Sequence, residues 1–346
     1  MRVPSRRCWR PNWGSAGDPR PPRVVHRRRA VFFPGVPGVQ NGTILVTETA
    51  DTRYARLSSL PLAPITAGSG FWSSARAVVA HRQLLGLLVR RDIKARYKDS
   101  VLGLLWVLIN PIVQLTVYYV VMGQFLGAAR GIPDFAIYIF SGLTVYAFFS
   151  EMLSGSTGSI VGNSGLVKKV YVPREIFPLA SAGSAMFTFC VQLLVLITAC
   201  VVLGAPPISG GIVYFLPAVA LIVVYGLAIG LLLSALNVYL RDVQYLTQVV
   251  LMLAMWASPI VYAWTMVNSV FQQFRFPGWL LEIYTNSPLT LAVLGFHRAF
   301  WVSGTPADYP PHLALRMLVA FVVGLILLWL CQRVFSRLQG NFAQEL

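Results

Sequence analysis

The chain has 346 residues, of which 56% are hydrophobic and only 12% charged, with a mean hydropathy of +0.65. Soluble domains carry about 25% charged residues, so this composition argues against a soluble enzyme and predicts an all-α integral membrane protein whose spans form one bundle. The net charge of +16 does not point to nucleic acid: residues 1–45 hold nine arginines against Asp18, and much of the remaining excess flanks the first apolar run, as orientation rules require.

Residues 1–75 read as an extension without periodicity, rich in Arg, Pro and Gly over 1–45, which cannot bury enough surface to fold. It lacks the apolar core and small-residue cleavage site of a signal peptide. Two readings stay open: a disordered cytoplasmic tail, or translation that starts downstream near Ile44 to Val46. The four cysteines predict neither a disulfide nor a metal site. Cys190 and Cys200 fall on one predicted helix about 15 Å apart, too far to bridge.

Residues 76–100 are amphipathic. Leu85, Val89, Ile93 and Tyr97 recur every four residues as an oily stripe, and Arg90, Lys94 and Lys98 form a cationic row beside Arg91. The segment is too charged to span a bilayer, so it is expected to lie in the headgroup layer with its bases toward anionic lipid.

The membrane domain is expected over 101–346, with six spans: Val101 to Leu126, Phe135 to Leu153, Ile176 to Leu203, Ile212 to Leu240, Val243 to Trp264 and Leu313 to Cys331. Lys and Arg concentrate on one set of flanks, which predicts a multi-pass plasma (inner) membrane protein with both termini cytoplasmic. The 165–180 loop then faces the cytoplasm. Leu166 to Tyr171 is expected to form a short helix stopped by Pro173. Lys168, Lys169, Arg174 and Glu175 would project from it among Val167, Val170 and Tyr171. That pattern fits a docking surface, or lysines that only mark the inner leaflet.

Within the first span Trp106, Asn110, Gln114 and Tyr118 recur at i+4 around a kink expected at Pro111. The fifth offers Gln244, Gln248, Met255 and Tyr262, with a second kink expected at Pro259. Aromatic faces stack on sugar rings and amides bind hydroxyls, so these residues are candidate channel lining. Interfacial belts and helix–helix glue are the competing readings. Glu151, near the end of the second span, is the one acid inside the expected spans and reads as an interfacial residue. Phe276 to Trp301 reads as two short amphipathic helices broken at Ser287–Pro288, with His297 and Arg298 meeting anionic groups or capping the helix at the outer surface.

Four segments in order, "LLVRRDIKARYKDSVLGLLWVLINP", "NSGLVKKVYVPREIFPLA", "LSALNVYLRDVQYL" and "WASPIVYAW", resemble the membrane subunit of ABC-2-type exporters of lipid-linked polysaccharide. The family handles O-antigen, capsule, teichoic-acid and galactan chains, and the similarity runs from Leu84 to Leu346. The resemblance implies an interface helix containing Arg90, Arg91, Lys94 and Tyr97, and a coupling helix over Leu166 to Glu175. Both would contact a separate ATPase subunit. It further implies a homodimer with two such ATPases, gate helices in the 276–301 segment, and a structural or coupling role for the inner-turn pair Arg241 and Asp242.

No G-x-x-x-x-G-K-[ST] loop is present. The chain is therefore expected to bind no cofactor itself, with ATP and Mg on the partner subunit. An ABC-2 exporter of a small lipid or drug is the alternative. A membrane glycosyl- or acyltransferase is disfavoured, because His81, His297 and His312 are scattered and acid pairs are absent.

Overall fold

The computed structural model describes residues 71–98, 103–125, 127, 131–169 and 172–346, and among these every regular element is helical. The extension expected over 1–75 lies outside the described residues up to position 70. Its end is corrected: helix α1 already begins at Phe71 (Phe71–Ala80), held to the last span by Gln332 Nε2 donating to Ser74 Oγ at 3.0 Å. There follow α2 (Arg82–Tyr97), α3 (Trp106–Tyr118) and α4 (Phe135–Gly162). Beyond the short α5 (Ser164–Lys169) come α6 (Ile176–Val202), α7 (Phe215–Tyr239) and α8 (Val243–Ala257). Three shorter helices, α9 (Trp264–Gln273), α10 (Gly278–Thr285) and α11 (Pro288–Phe300), lead to α12 (Leu313–Leu338) and the terminal α13 (Phe342–Glu345).

Among the described residues, five helical stretches are long and apolar enough to cross a membrane: 106–125, 135–162, 176–202, 210–239 and 306–341. The fifth expected span is corrected. Its helix stops at Ala257 because Pro259 forces Ser258 into an extended conformation (ψ 149°), so Pro259 ends the helix rather than kinking it. Fifteen residues rise about 22 Å, less than the ~30 Å hydrocarbon core. In the first span the chain runs through Pro111 as α-helix and turns into a π-helix over Tyr119–Phe125.

α4 is the axis of the bundle. It packs against α6, α7, α8 and α11 and buries Ile139, Val145, Phe148 and Met152. It also runs to Gly162, past the expected end at Leu153. The added turns, "SGSTGSIVG", are small and polar. Thr157 and Ser159 return their hydroxyls to the backbone of Leu153 and Ser156, while Ser156 donates to the carbonyl of Pro178 in α6. Asn237 of α7 donates to the carbonyl of Thr157 at 3.0 Å. Small side chains let neighbouring backbones approach and satisfy their polar groups without lipid.

The expectation for 276–301 holds in its break but not in its surface. Helices form on either side of Ser287, with Pro288 at the first helical position, where its missing amide donor costs nothing. α11, however, is a core helix: Leu291, Ala292, Val293 and Phe296 are fully buried. The 210–214 turn crosses it so closely that a Cβ on Gly211 would lie 2.0 Å from the carbonyl oxygen of Arg298.

Candidate functional site

The residues that carry chemistry gather at the end of the bundle bearing α5. Asn163 organises it. Its carbonyl accepts from the amides of Leu166 and Val167, starting α5, and its Oδ1 accepts from Arg91 of α2 at 2.7 Å. Two motifs 72 residues apart thus become one surface. Lys168 and Lys169 are exposed there, beside a half-open Leu166. Val170 and Tyr171, and the side chain of Tyr97, lie outside the described residues.

Two residues expected at the docking surface, Val167 and Glu175, point inward. Val167 joins a small core with Leu88, Ile176, Phe177, Phe335 and Phe342. Glu175 is buried, 5% exposed, in the N-cap position of α6. Its carboxylate sits where the helix dipole favours a negative charge. Arg174 does not stand free either: its guanidinium lies 5.7 Å from the centroid of the Phe342 ring. The exposed rim of α5 is therefore Leu166, Lys168 and Lys169.

α2 packs along the bundle. Its oily stripe (Leu85, Val89, Ile93) faces the bundle, with Leu88 fully packed, and Arg90, Lys94 and Lys98 stay exposed as a row. Near its end, Arg96 donates to Glu151 of α4 and, at 3.3 Å, to Thr188 Oγ1 of α6. Thr188 in turn donates to Glu151 at 3.1 Å. Glu151 is thus a paired group between helices, not a lone interfacial acid. An acid on a spanning helix is expensive unless paired, and that single charge in the second apolar run was the signal available in the sequence.

Arg241 and Asp242 occupy the turn from α7 to α8 at the same end, with both side chains exposed and no ion pair between them. Tyr239, just before them, donates to the carbonyl of Leu338 and packs near Phe342.

The candidate channel residues divide. Tyr118 and Tyr262 are partnered: the Tyr118 hydroxyl lies 3.7 Å from Met255 Sδ, and Tyr262 donates to the carbonyl of Trp256 at 2.8 Å. Trp106, Asn110, Gln114 and Gln248 are exposed on α3 and α8, and the three amides have no hydrogen-bond partner among the described residues. Gln114 borders a cleft that also takes in Pro111, Thr144 and Gln192. Gln192, the one amide of the third span, was missed at the level of sequence. A bare amide against lipid tails costs several kcal/mol. These amides need water, a sugar or another protein surface.

This arrangement, an exposed basic end and exposed amides without partners among the described residues, agrees with the similarity to known proteins. The model of the ABC-2 type transporter family matches residues 83–301, well over half of the chain. The chain belongs to that family. Among its relatives, the O-antigen export system permease protein RfbA of Klebsiella pneumoniae is 26% identical over 264 residues, covering 76% of this chain and 95% of the relative. The protein of the same name from Myxococcus xanthus is 27% identical over 271 residues, 78% and 98% of the two chains.

At the opposite end of this ABC-2 permease, His297 and Arg298 are not surface caps. His297 is 1% exposed and stacks on Tyr138 with ring centroids 3.8 Å apart. Arg298 lies over the Tyr309 ring at 5.0 Å. The charge that works at this surface is Arg316, which grips Glu282 of α10 through both nitrogens of its fork and Asn286 at 3.0 Å. The Arg316 hydrogen bond holds the Glu282 carboxyl below its ordinary value. A lowered carboxylate pKa stabilises the fold above the unfolded value of about 4.3 and loses that contribution as pH falls through the folded value. Arg316→Gln should therefore lower the melting temperature of the purified protein near neutral pH. The difference from wild type should close below about pH 4. Its size should stay within about 1 kcal/mol because the pair is open to solvent.

Proposed function

We propose that this chain is the membrane permease of an ATP-driven exporter that moves a lipid-linked polysaccharide, O-antigen-like or galactan, across the plasma membrane. The observation that carries the reading is the set of unpartnered amides, Asn110, Gln114 and Gln248, on the open faces of α3 and α8. A second copy of the chain facing those helices would enclose them in a wet passage. There, amides and the exposed Trp106 and Trp256 bind hydroxyls and sugar faces along a polymer without demanding one sugar. The relatives carry the name O-antigen export permease along nearly their whole length, which supports the same substrate class.

The energy comes from outside the chain. Two copies of a separate ATPase subunit hold ATP and Mg and dock against the α5 rim and α2. In that position the row Arg90, Lys94 and Lys98 and the pair Lys168 and Lys169 meet acidic surface on the partner. The α5 end carries most of the described cations, among them Arg91, Arg174, Arg241 and Arg337, so it faces the cytoplasm with both termini. The Arg241–Asp242 turn sits on the same face and shares its coupling role.

Depletion of the chain in its native cell is the test. Lipid-linked glycan should accumulate on the cytoplasmic side, and an ATPase subunit should copurify with the tagged chain. Accumulation of a small amphiphile in place of glycan, or purification without any ATPase, would overturn the reading.

A further inference from the structure

We infer that Arg96, Glu151 and Thr188 are positioning residues that lock the interface helix α2 to α4 and α6, so that the three helices move as one lever during transport. The inference rests on the coupling role proposed for α2, and extends it to residues for which nothing so far assigns a function.

Arg96 donates to both Glu151 and Thr188, and the Thr188 hydroxyl, having one proton to give, lies 3.1 Å from Glu151. These contacts join three separate helices, with the Ser184 carbonyl a second acceptor for Thr188 at 3.4 Å. Among the candidate spans, α4 carries its only acid at Glu151, and α6 carries no charge at all. A carboxylate placed there is stable while the guanidinium stays with it, so parting α2 from α4 would strand a charge between spans. Separation therefore costs more than joint movement, by an amount that the partial exposure of the pair limits.

Two further contacts fix the direction of α2. Arg91 bonds Asn163 at the end of α4, twelve residues beyond Glu151, while Val89 packs on α6 so tightly that a Cβ at Gly183 would lie 2.8 Å from its Cγ2. The contacts advance from Val89 and Gly183 to Arg96 and Thr188, so α2 runs parallel to α6 and antiparallel to α4. Thrust delivered to the exposed α2 row or to α5, which follows α4 through Asn163, then reaches the same pair of spans. A lone amphipathic helix floating in headgroups would dissipate it.

The test uses the full permease with its partner ATPase in proteoliposomes. Arg96→Glu and Glu151→Arg should each raise the ATP hydrolysed per glycan exported at least about tenfold. The exchange of both should return most of the coupling, and Arg96→Lys, which keeps the charge but not the guanidinium geometry, should fall between. Wild-type coupling in either single variant, or a swapped pair no better than the singles at an unchanged melting temperature, would overturn the latch. A second measurement does not depend on glycan. Spin labels at Lys94→Cys and Gly162→Cys, with the native cysteines replaced by alanine, should give one narrow distance distribution in both the nucleotide-free and the ATP-bound complex. Glu151→Gln should broaden it. A distribution that is broad from the start, or that Glu151→Gln leaves narrow, also overturns the latch. If the native complex exports no glycan but the label distances behave as described, the transport reading fails and the latch stands.

Discussion

Reversal of charge at Lys168 and Lys169 together is expected to abolish glycan export while the permease still reaches the membrane at its normal level. Both side chains are exposed on α5, and neither has a partner among the described residues, so reversing them removes nothing that holds the bundle. Opposed to an acidic docking surface they would steer and hold the ATPase, and two glutamates in their place would repel it. Like charges brought together at an interface cost several kcal/mol, and each 1.4 kcal/mol is tenfold in affinity. The amount of ATPase copurifying with the double variant should fall at least about tenfold. Lys168→Gln with Lys169→Gln should fall less, because it only removes attraction. Export and copurification at wild-type levels in the reversed variant would show that these lysines do no more than mark a leaflet. Arg174 makes a poorer probe than its sequence neighbourhood suggests, since its stacking on Phe342 mixes a fold effect into any charge change.

Phe342→Ala should be the most damaging single truncation at the coupling end. The ring is fully buried, 5.6 Å from Phe335 and 6.1 Å from Tyr239, with the Arg174 guanidinium above it. Emptying a buried aromatic site costs about 3–5 kcal/mol. The cost falls on α13, a single turn that cannot hold itself as an isolated helix. The tail should detach locally instead of unfolding the bundle. Hydrogen exchange should quicken over 342–346 and over α5, whose Val167 loses a neighbour in the shared core, and coupled transport should decline. Phe342→Leu should retain most of both. Unaltered exchange in α5 would show that the tail does not brace the coupling helix.

The amino-acid sequence by itself determined the class of molecule. A run of some twenty apolar residues has one stable destination, and the scarcity of charge leaves no soluble alternative. The positions of four apolar helices, the interruption at Ser287–Pro288, the cationic row on α2 and the short basic helix around Lys168 are all local consequences of spacing, of proline's missing donor and of charge. Local rules account for them because each is set within a few turns of helix.

Tertiary structure decided everything that depends on which helices meet. Hydropathy ends the second span where polar residues begin, yet "SGSTGSIVG" stays helical, with Ser156 donating to α6, Asn237 of α7 donating to the Thr157 carbonyl, and the Thr157 and Ser159 hydroxyls returned to their own helix. The charge pattern of the loop placed Glu175 and Val167 on a docking surface, whereas the C-terminal tail and α6 draw them inside. His297 looked like a surface group until α11 was packed beneath Tyr138. Glu151 announced itself as an isolated charge, but no periodicity could name Arg96, 55 positions earlier, as its partner. The physical reason is common to all four. Burial and pairing inside a membrane bundle are fixed by contacts between distant segments, and spacing along one helix carries no record of its neighbours.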